Sequence, residues 1–113
     1  MNNKIILSEA NKAVAQGDYE TFLTYCTEDT RWVFVGDRIV EGKAALRQYM
    51  NEVYHEPPVF SVDTLIEDGD YVTATGEISL KDANGNEEHF DYCDNWRFEN
   101  GKMAALKAFV IKK

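Results

Sequence analysis

Hydrophobic positions change their period along the chain, from a helical repeat in the first half to alternation in the second. The three- and four-residue spacing of apolar side chains predicts amphipathic helices over 5–15 and 43–54. A further helix follows Asp18, a good N-cap, after Gly17 has ended the first. Its predicted apolar face consists of Tyr19, Phe22, Leu23 and Cys26.

The rest of the chain predicts strands. One, rich in β-branched and aromatic residues, occupies 30–35 after the second helix, and everything beyond Pro58 is of β type. The later strands are predicted at 59–67, 71–81, 87–99 and 102–111, separated by turns that contain glycine. The order α-α-β-α-β-β-β-β indicates an α+β fold, with three N-terminal helices packed on a strongly curved, mainly antiparallel sheet. A strongly curved sheet closed over by helices makes a cone with an apolar cavity, the kind of site that binds small ligands.

The stretch 90–98 carries most of the functional information. Alternate side chains of a strand point to opposite faces, so one face holds Phe90, Tyr92, Asp94, Trp96 and Phe98. A carboxyl among four rings needs an explanation, because burying an unpaired charge is costly. Two interpretations stay open. Asp94 is a pocket carboxyl that orients a ligand or donates a hydrogen bond when protonated, or it is a structural group satisfied by Tyr49, by the Trp96 N–H or by backbone.

Composition limits the classes of function. The 113 residues suit one domain, 1–113, and the 44% hydrophobic content is enough for a core. A net charge of −8 without a basic cluster argues against nucleic-acid and anionic-membrane partners. The N-terminus has no secretory pattern, which favours a cytoplasmic protein with two reduced cysteines. The two histidines form no metal-binding pattern, so neither a metal nor another cofactor is expected.

Three segments together resemble the nuclear transport factor 2-like superfamily, in particular its ketosteroid isomerase and SnoaL-like polyketide cyclase group. The segments are Ala15-Gln16-Gly17-Asp18-Tyr19 with Leu23 and Glu28-Asp29-Thr30 after it, Val40-Glu41-Gly42-Lys43-Ala44-Ala45-Leu46, and Asp94-Asn95-Trp96-Arg97-Phe98-Glu99-Asn100-Gly101-Lys102. Together the three segments cover nearly the whole chain, and their order and spacing make the resemblance specific. The resemblance implies a single domain of the cone-shaped, cystatin-like fold, and a homodimer paired through the outer surface of the sheet.

The resemblance also implies which catalytic groups to look for. Ketosteroid isomerases of this group use an Asp general base on the first strand, a Tyr on the first helix and a second, protonated Asp. In this chain the first two positions fall on Phe34 and near Ala10, and only the third has a counterpart, Asp94. Limonene epoxide hydrolase, another relative, relies on an Asp-Arg-Asp set. Arg97 has the opposite parity to Asp94, which disfavours that chemistry.

Our first hypothesis is a protein that binds a small, mostly apolar molecule in this cavity. The predicted ligand-binding residues are Trp32, Phe34, Tyr49, Tyr92, Trp96 and His55, and Asp94 is the candidate catalytic residue. The alternatives are a ketosteroid isomerase-like or cyclase-like enzyme that uses Asp94 as acid or base, and a dimerisation module with a filled cavity. An open cavity that contains Asp94 argues against the module, and a second titratable group near Asp94 favours the enzyme.

Overall fold

The computed structural model describes residues 2–113, which form three helices and one sheet. The helices are α1 (Asn3–Ala15), α2 (Tyr19–Thr24) and α3 (Lys43–Val53). The strands are β1 (Cys26–Phe34), β2 (Arg38–Glu41), β3 (Val59–Phe60), β4 (Thr64–Asp68), β5 (Tyr71–Lys81), β6 (Glu87–Glu99) and β7 (Lys102–Lys112). Within residues 2–113, no helix has the length and apolar character needed to cross a membrane.

Local capping explains where the first two helices begin. The Asn2 side chain accepts a hydrogen bond from the Ile5 amide at 2.9 Å, so α1 starts two residues before the predicted position. Asp18 accepts from the Thr21 amide at 3.1 Å and caps α2, as predicted. The helices then pack their apolar faces on the sheet, where Leu7, Phe22 and Met50 are almost fully buried.

The sheet has the order β2-β1-β7-β6-β5-β3, with β4 also paired to β5. Among the strand pairings of residues 2–113, only β1–β7 is parallel, and the rest are antiparallel. Register shifts interrupt β1 between Cys26 and Arg31 and β6 between Arg97 and Phe98. Such bulges bend strands, which helps the sheet to wrap around a concave face. The predicted α+β fold, with helices on a curved and mainly antiparallel sheet, is therefore confirmed.

Two details of the predicted element order are wrong. Residues 38–41, for which no strand was predicted, form the edge strand β2, which pairs with β1 as a hairpin. Cys26, expected on the face of a helix, is instead the first residue of β1, although it is fully buried in the core. Helix α2 ends early because the chain must turn at Tyr25 to enter the sheet, where the Met103 amide donates to the Tyr25 carbonyl at 2.8 Å.

The predicted strand 59–67 is divided into β3 and β4, and a glycine explains the division. Gly76 on β5 leaves room for the Ser61 carbonyl, which a Cβ atom at Gly76 would meet at 2.0 Å. The same carbonyl accepts a hydrogen bond from the Tyr92 hydroxyl at 2.6 Å. The backbone at 61–63 therefore dips toward β5 and β6 and interrupts regular pairing.

Candidate functional site

Strand β6 presents the faces that its sequence predicts. Trp96 and Phe98 are buried, and Tyr92 and Asp94 are half-buried on the same side, whereas His89 is exposed on the other side. The inner side lies under the helices and faces a cavity. Asp94 pairs in register with Ala74 on β5 and with Ala108 on β7, both buried. Because these two positions carry only methyl side chains, the neighbouring strands place no bulky group directly beside the carboxyl.

The cavity has a volume of about 280 Å³. Its wall consists of residues from the helices, the sheet and the loop before β3, namely Asn11, Val14, Phe22, Trp32, Phe34, Asp37, Arg38, Tyr49, Met50, Val53, Tyr54, Pro58, Phe60, Ile78, Leu80, Phe90, Tyr92, Asp94, Trp96, Leu106 and Val110. The structure thus brings together every predicted site residue except His55. His55 lies exposed between α3 and β3, outside this wall.

The Asp94 carboxyl has no hydrogen-bond or ion-pair partner in the described chain from Asn2 to Lys113. The proposed structural partners, Tyr49 and the Trp96 N–H, therefore do not hold it. Burial raises the pKa of Asp94 from its ordinary 3.8 to about 7, because leaving water disfavours the charged form and no cation compensates. Near neutral pH the carboxyl can therefore either donate a proton or carry a charge.

Three tyrosines surround this carboxyl. Burial raises the pKa values of Tyr49 and Tyr92 to about 12 and that of Tyr54 as well, and the Asp94 charge raises all three further. Their hydroxyls differ in availability. Tyr92 is committed to the Ser61 carbonyl, whereas Tyr49 and Tyr54 have no hydrogen-bond partner within residues 2–113. These two hydroxyls are therefore free to meet a ligand.

The indole rings form part of the cavity wall. Trp32 and Trp96 meet edge to face, with ring centroids 5.4 Å apart and planes at 84°. Trp32 also contacts Phe34 and Tyr49 at ring distances of 6.0 and 6.5 Å. Its Nε1 is sealed from solvent and has no hydrogen-bond acceptor among the described residues. An N–H enclosed by rings gains only weak N–H···π contacts, so Trp32 contributes shape.

The rim of the cavity carries the charged pair Asp37 and Arg38. The Arg38 guanidinium lies 5.4 Å from the centroid of the Tyr49 ring, within cation–π range. Its Nε is 3.6 Å from an Asp37 carboxylate oxygen, and both side chains are largely exposed. Asp37, Arg38 and Tyr54 are additions to the predicted site. Their positions at the ends of elements carry no periodic signal, although the Tyr54 ring packs on Tyr19 and Tyr49.

The chain belongs to the SnoaL-like domain family, which matches residues 7–106. No curated protein sequence matches it. A protein of unknown function from Cytophaga hutchinsonii, described as nuclear transport factor 2-like, is 23% identical, with a TM-score of 0.78 over 97% of this chain and 100% of that one.

Two enzyme-like structures are similar as well. SalBIII, an epoxide hydrolase/cyclase-like enzyme of salinomycin pyran-ring formation, is 23% identical, with a TM-score of 0.85 over 96% of this chain and 89% of its own. A ketosteroid isomerase-like protein from Kribbella flavida is 16% identical, with a TM-score of 0.83 over 98% and 78% of the two chains. At these identities the structures establish the shared fold.

Proposed function

We propose that this protein binds a small, mostly apolar molecule in the ring-lined cavity and orients it through Asp94. The observation that carries the proposal is a carboxyl without a protein partner that faces an open, largely apolar space. Ligand sites combine an apolar wall with a few placed polar groups in just this way. The volume of about 280 Å³ lies near the lower end of ligand pockets, which favours a compact molecule.

The open cavity also weighs against a module whose interior is filled. Interiors of proteins are close-packed, with few voids larger than a water molecule. Without a ligand, the rings of this open space expose apolar surface to water, which a bound apolar molecule would cover. A binding role supplies the missing contacts. The cytoplasmic location of the protein stays a prediction.

An enzyme that uses Asp94 as acid or base is the second candidate, and the pKa of about 7 supports it. The free Tyr49 and Tyr54 hydroxyls are titratable groups near Asp94, and a second such group favours the enzyme. However, Phe34 and Ala10 occupy the positions of the isomerase base and tyrosine, and Ala10 is fully buried in α1. A general base and an oxyanion donor each contribute about 100-fold or more, so steroid isomerisation is disfavoured.

The test of the binding proposal is to purify the protein under native conditions, extract it and identify co-purified molecules by mass spectrometry. We expect the wild-type protein to carry a small molecule in nearly equimolar amount. Asp94→Asn should carry at least severalfold less of it. Asp91→Asn is the matched control, because Asp91 lies on the same strand with its side chain on the outer side. Equal recovery of the small molecule from both variants would contradict the proposal. So would a wild type that yields no co-purified molecule and also binds none of the small molecules tested against the cavity.

We further propose that two copies pair through the outer side of β5, β6 and β7. Phe109 and Ile111 stand exposed on β7, opposite Cys93 and Asp91 of β6. Exposed apolar residues gathered on one sheet surface are typical of an interface rather than of scattered surface positions. This homodimer leaves the cavity on the other side of the sheet accessible.

A further inference from the structure

The cavity combines many aromatic faces with a single interior charge. Of the residues in its wall only Asp37, Arg38 and Asp94 carry charge, and the first two lie exposed at the rim. The rings that line the interior are Phe22, Trp32, Phe34, Tyr49, Tyr54, Phe60, Phe90, Tyr92 and Trp96. Ring faces are electron-rich and attract cations, most strongly in Trp and Tyr.

No basic side chain of the described chain neutralises Asp94 inside the cavity. Arg38 is held at the rim by Asp37 and by the face of Tyr49. From α3 and the residue that follows it, the titratable groups facing Asp94 are Tyr49 and Tyr54, and from β6 itself it is Tyr92. The neighbouring positions on β5 and β7 are alanines. All groups around Asp94 are thus neutral rings or methyls, so when Asp94 is ionised its counter-charge must come from outside the protein.

We propose that the ligand of this cavity is a small organic cation, an amine or quaternary ammonium compound whose charge pairs with Asp94 while its apolar groups contact the rings. The inference rests on the proposed binding function and specifies its ligand class. Arg38 above Tyr49 already shows one of these ring faces engaging a cation. The net charge of −8 further favours the approach of cations over anions.

The competing class is a neutral molecule with a carbonyl or hydroxyl oxygen, which would accept hydrogen bonds from protonated Asp94 and from Tyr49 or Tyr54. It uses the same cavity but makes no use of the ring faces as cation sites. The two classes also require opposite protonation states of Asp94, because a cation pairs with the carboxylate and an oxygen acceptor needs the acid. The affinity of each class should therefore change with pH in opposite directions.

The experiment measures binding of three probes to the full chain by NMR, through the indole N–H resonances of the two tryptophans. The probes are benzyltrimethylammonium, its uncharged carbon isostere neopentylbenzene, and the ketone 4-phenyl-2-butanone. None of them titrates in the range studied, so pH acts only through the protein. With a pKa of about 7, the ionised fraction of Asp94 rises about 30-fold between about pH 5.5 and pH 8.5.

We expect benzyltrimethylammonium to bind about tenfold or more tightly than neopentylbenzene at the higher pH. Its affinity should fall by up to about 30-fold at the lower pH, following the ionised fraction. Asp94→Asn should remove both the charge preference and the pH dependence, and Asp91→Asn should keep them. Neopentylbenzene serves as the folding control, since it should bind Asp94→Asn as well as it binds the wild type.

Three other outcomes would overturn the inference. Equal affinity for the ammonium probe and its isostere shows that charge is not recognised. Tighter binding of the ketone, strengthening as the pH falls, assigns the neutral class instead and leaves the binding function intact. If none of the three probes shifts the tryptophan resonances, the proposed cationic ligand is rejected. That result also counts against the proposed binding function.

Discussion

At the residue scale, one carboxyl couples the stability of the protein to pH. Because burial raises the pKa of Asp94 from 3.8 to about 7, the folded protein holds this proton more tightly than the unfolded chain does. Asp94 therefore contributes stability that is present below about pH 4 and is lost as the pH rises to about 7. At about 1.4 kcal/mol per pKa unit, the loss amounts to at most roughly 4 kcal/mol.

Asp94→Asn removes this titration while keeping the size of the side chain. We expect its thermal midpoint to match that of the wild type near pH 4 and to exceed it by several degrees near pH 8. Asp91→Asn, on the exposed side of β6, should show no such divergence over the same range. The check is thermal unfolding followed by circular dichroism at several pH values. A lower midpoint for Asp94→Asn near pH 8 would mean that a protein partner holds the carboxylate.

The sequence could predict Asp94 and the rings of β6 because a strand has a period of two, so the face of one residue fixes the faces of the others. It could not predict Tyr54 or Arg38. Tyr54 follows the last residue of α3 and Arg38 begins a four-residue strand, so neither belongs to a long periodic run. Their places in the wall depend on how the chain turns between elements.

At the element scale, the same reasoning separates the confirmed strands from the missed ones. Strands β5, β6 and β7 have 11 to 13 residues, long enough for alternation and turn residues to define them. Strand β2 has four residues, begins and ends with a charge and, within the described residues, pairs only with β1, so its alternation is too short to predict a strand. The break between β3 and β4 results from a contact between distant segments, which alternation does not report.

That contact yields a prediction for Gly76. In Gly76→Ala the new Cβ would meet the Ser61 carbonyl at 2.0 Å and the Tyr92 hydroxyl at 2.8 Å, so the 61–63 segment must move away. We expect the free energy of unfolding to fall by about 1–3 kcal/mol through overpacking and loss of the Tyr92–Ser61 hydrogen bond. Urea unfolding measures the change.

Two controls separate these contributions. Tyr92→Phe removes only the hydroxyl and should cost about 0.5–1.5 kcal/mol. Thr75→Ala, on the neighbouring position of β5, changes a side chain of the outer face and should cost less than Gly76→Ala. If Gly76→Ala is as stable as the wild type, the close approach of Ser61 to β5 does not exist in solution.

At the scale of the whole molecule, we propose different roles for the two sides of the sheet, ligand binding on one and pairing of two copies on the other. The inner side and the helices enclose the cavity, and the outer side carries Phe109 and Ile111. We expect a dimer in sedimentation velocity at micromolar concentration, and a monomer for the double variant Phe109→Asp with Ile111→Asp, because a like charge on both copies opposes pairing.

Ile5→Asp is the matched control for the dimer. Ile5 is 45% exposed but lies on α1, which packs on the opposite side of the sheet from the proposed interface. This variant should therefore sediment like the wild type. A monomeric wild type, or a double variant that remains a dimer, would contradict pairing through the outer side.

The central claim is that Asp94 is an unpaired acid facing an open cavity. Its most direct test is a pH titration of the Asp94 side-chain carboxyl by carbon-13 NMR, with Asp94→Asn used to assign the signal. We predict a midpoint near 7, which shifts when a molecule occupies the cavity. A midpoint near the ordinary 3.8 that does not shift when any of the probes is added would show a solvated or paired carboxylate. That result would contradict the account.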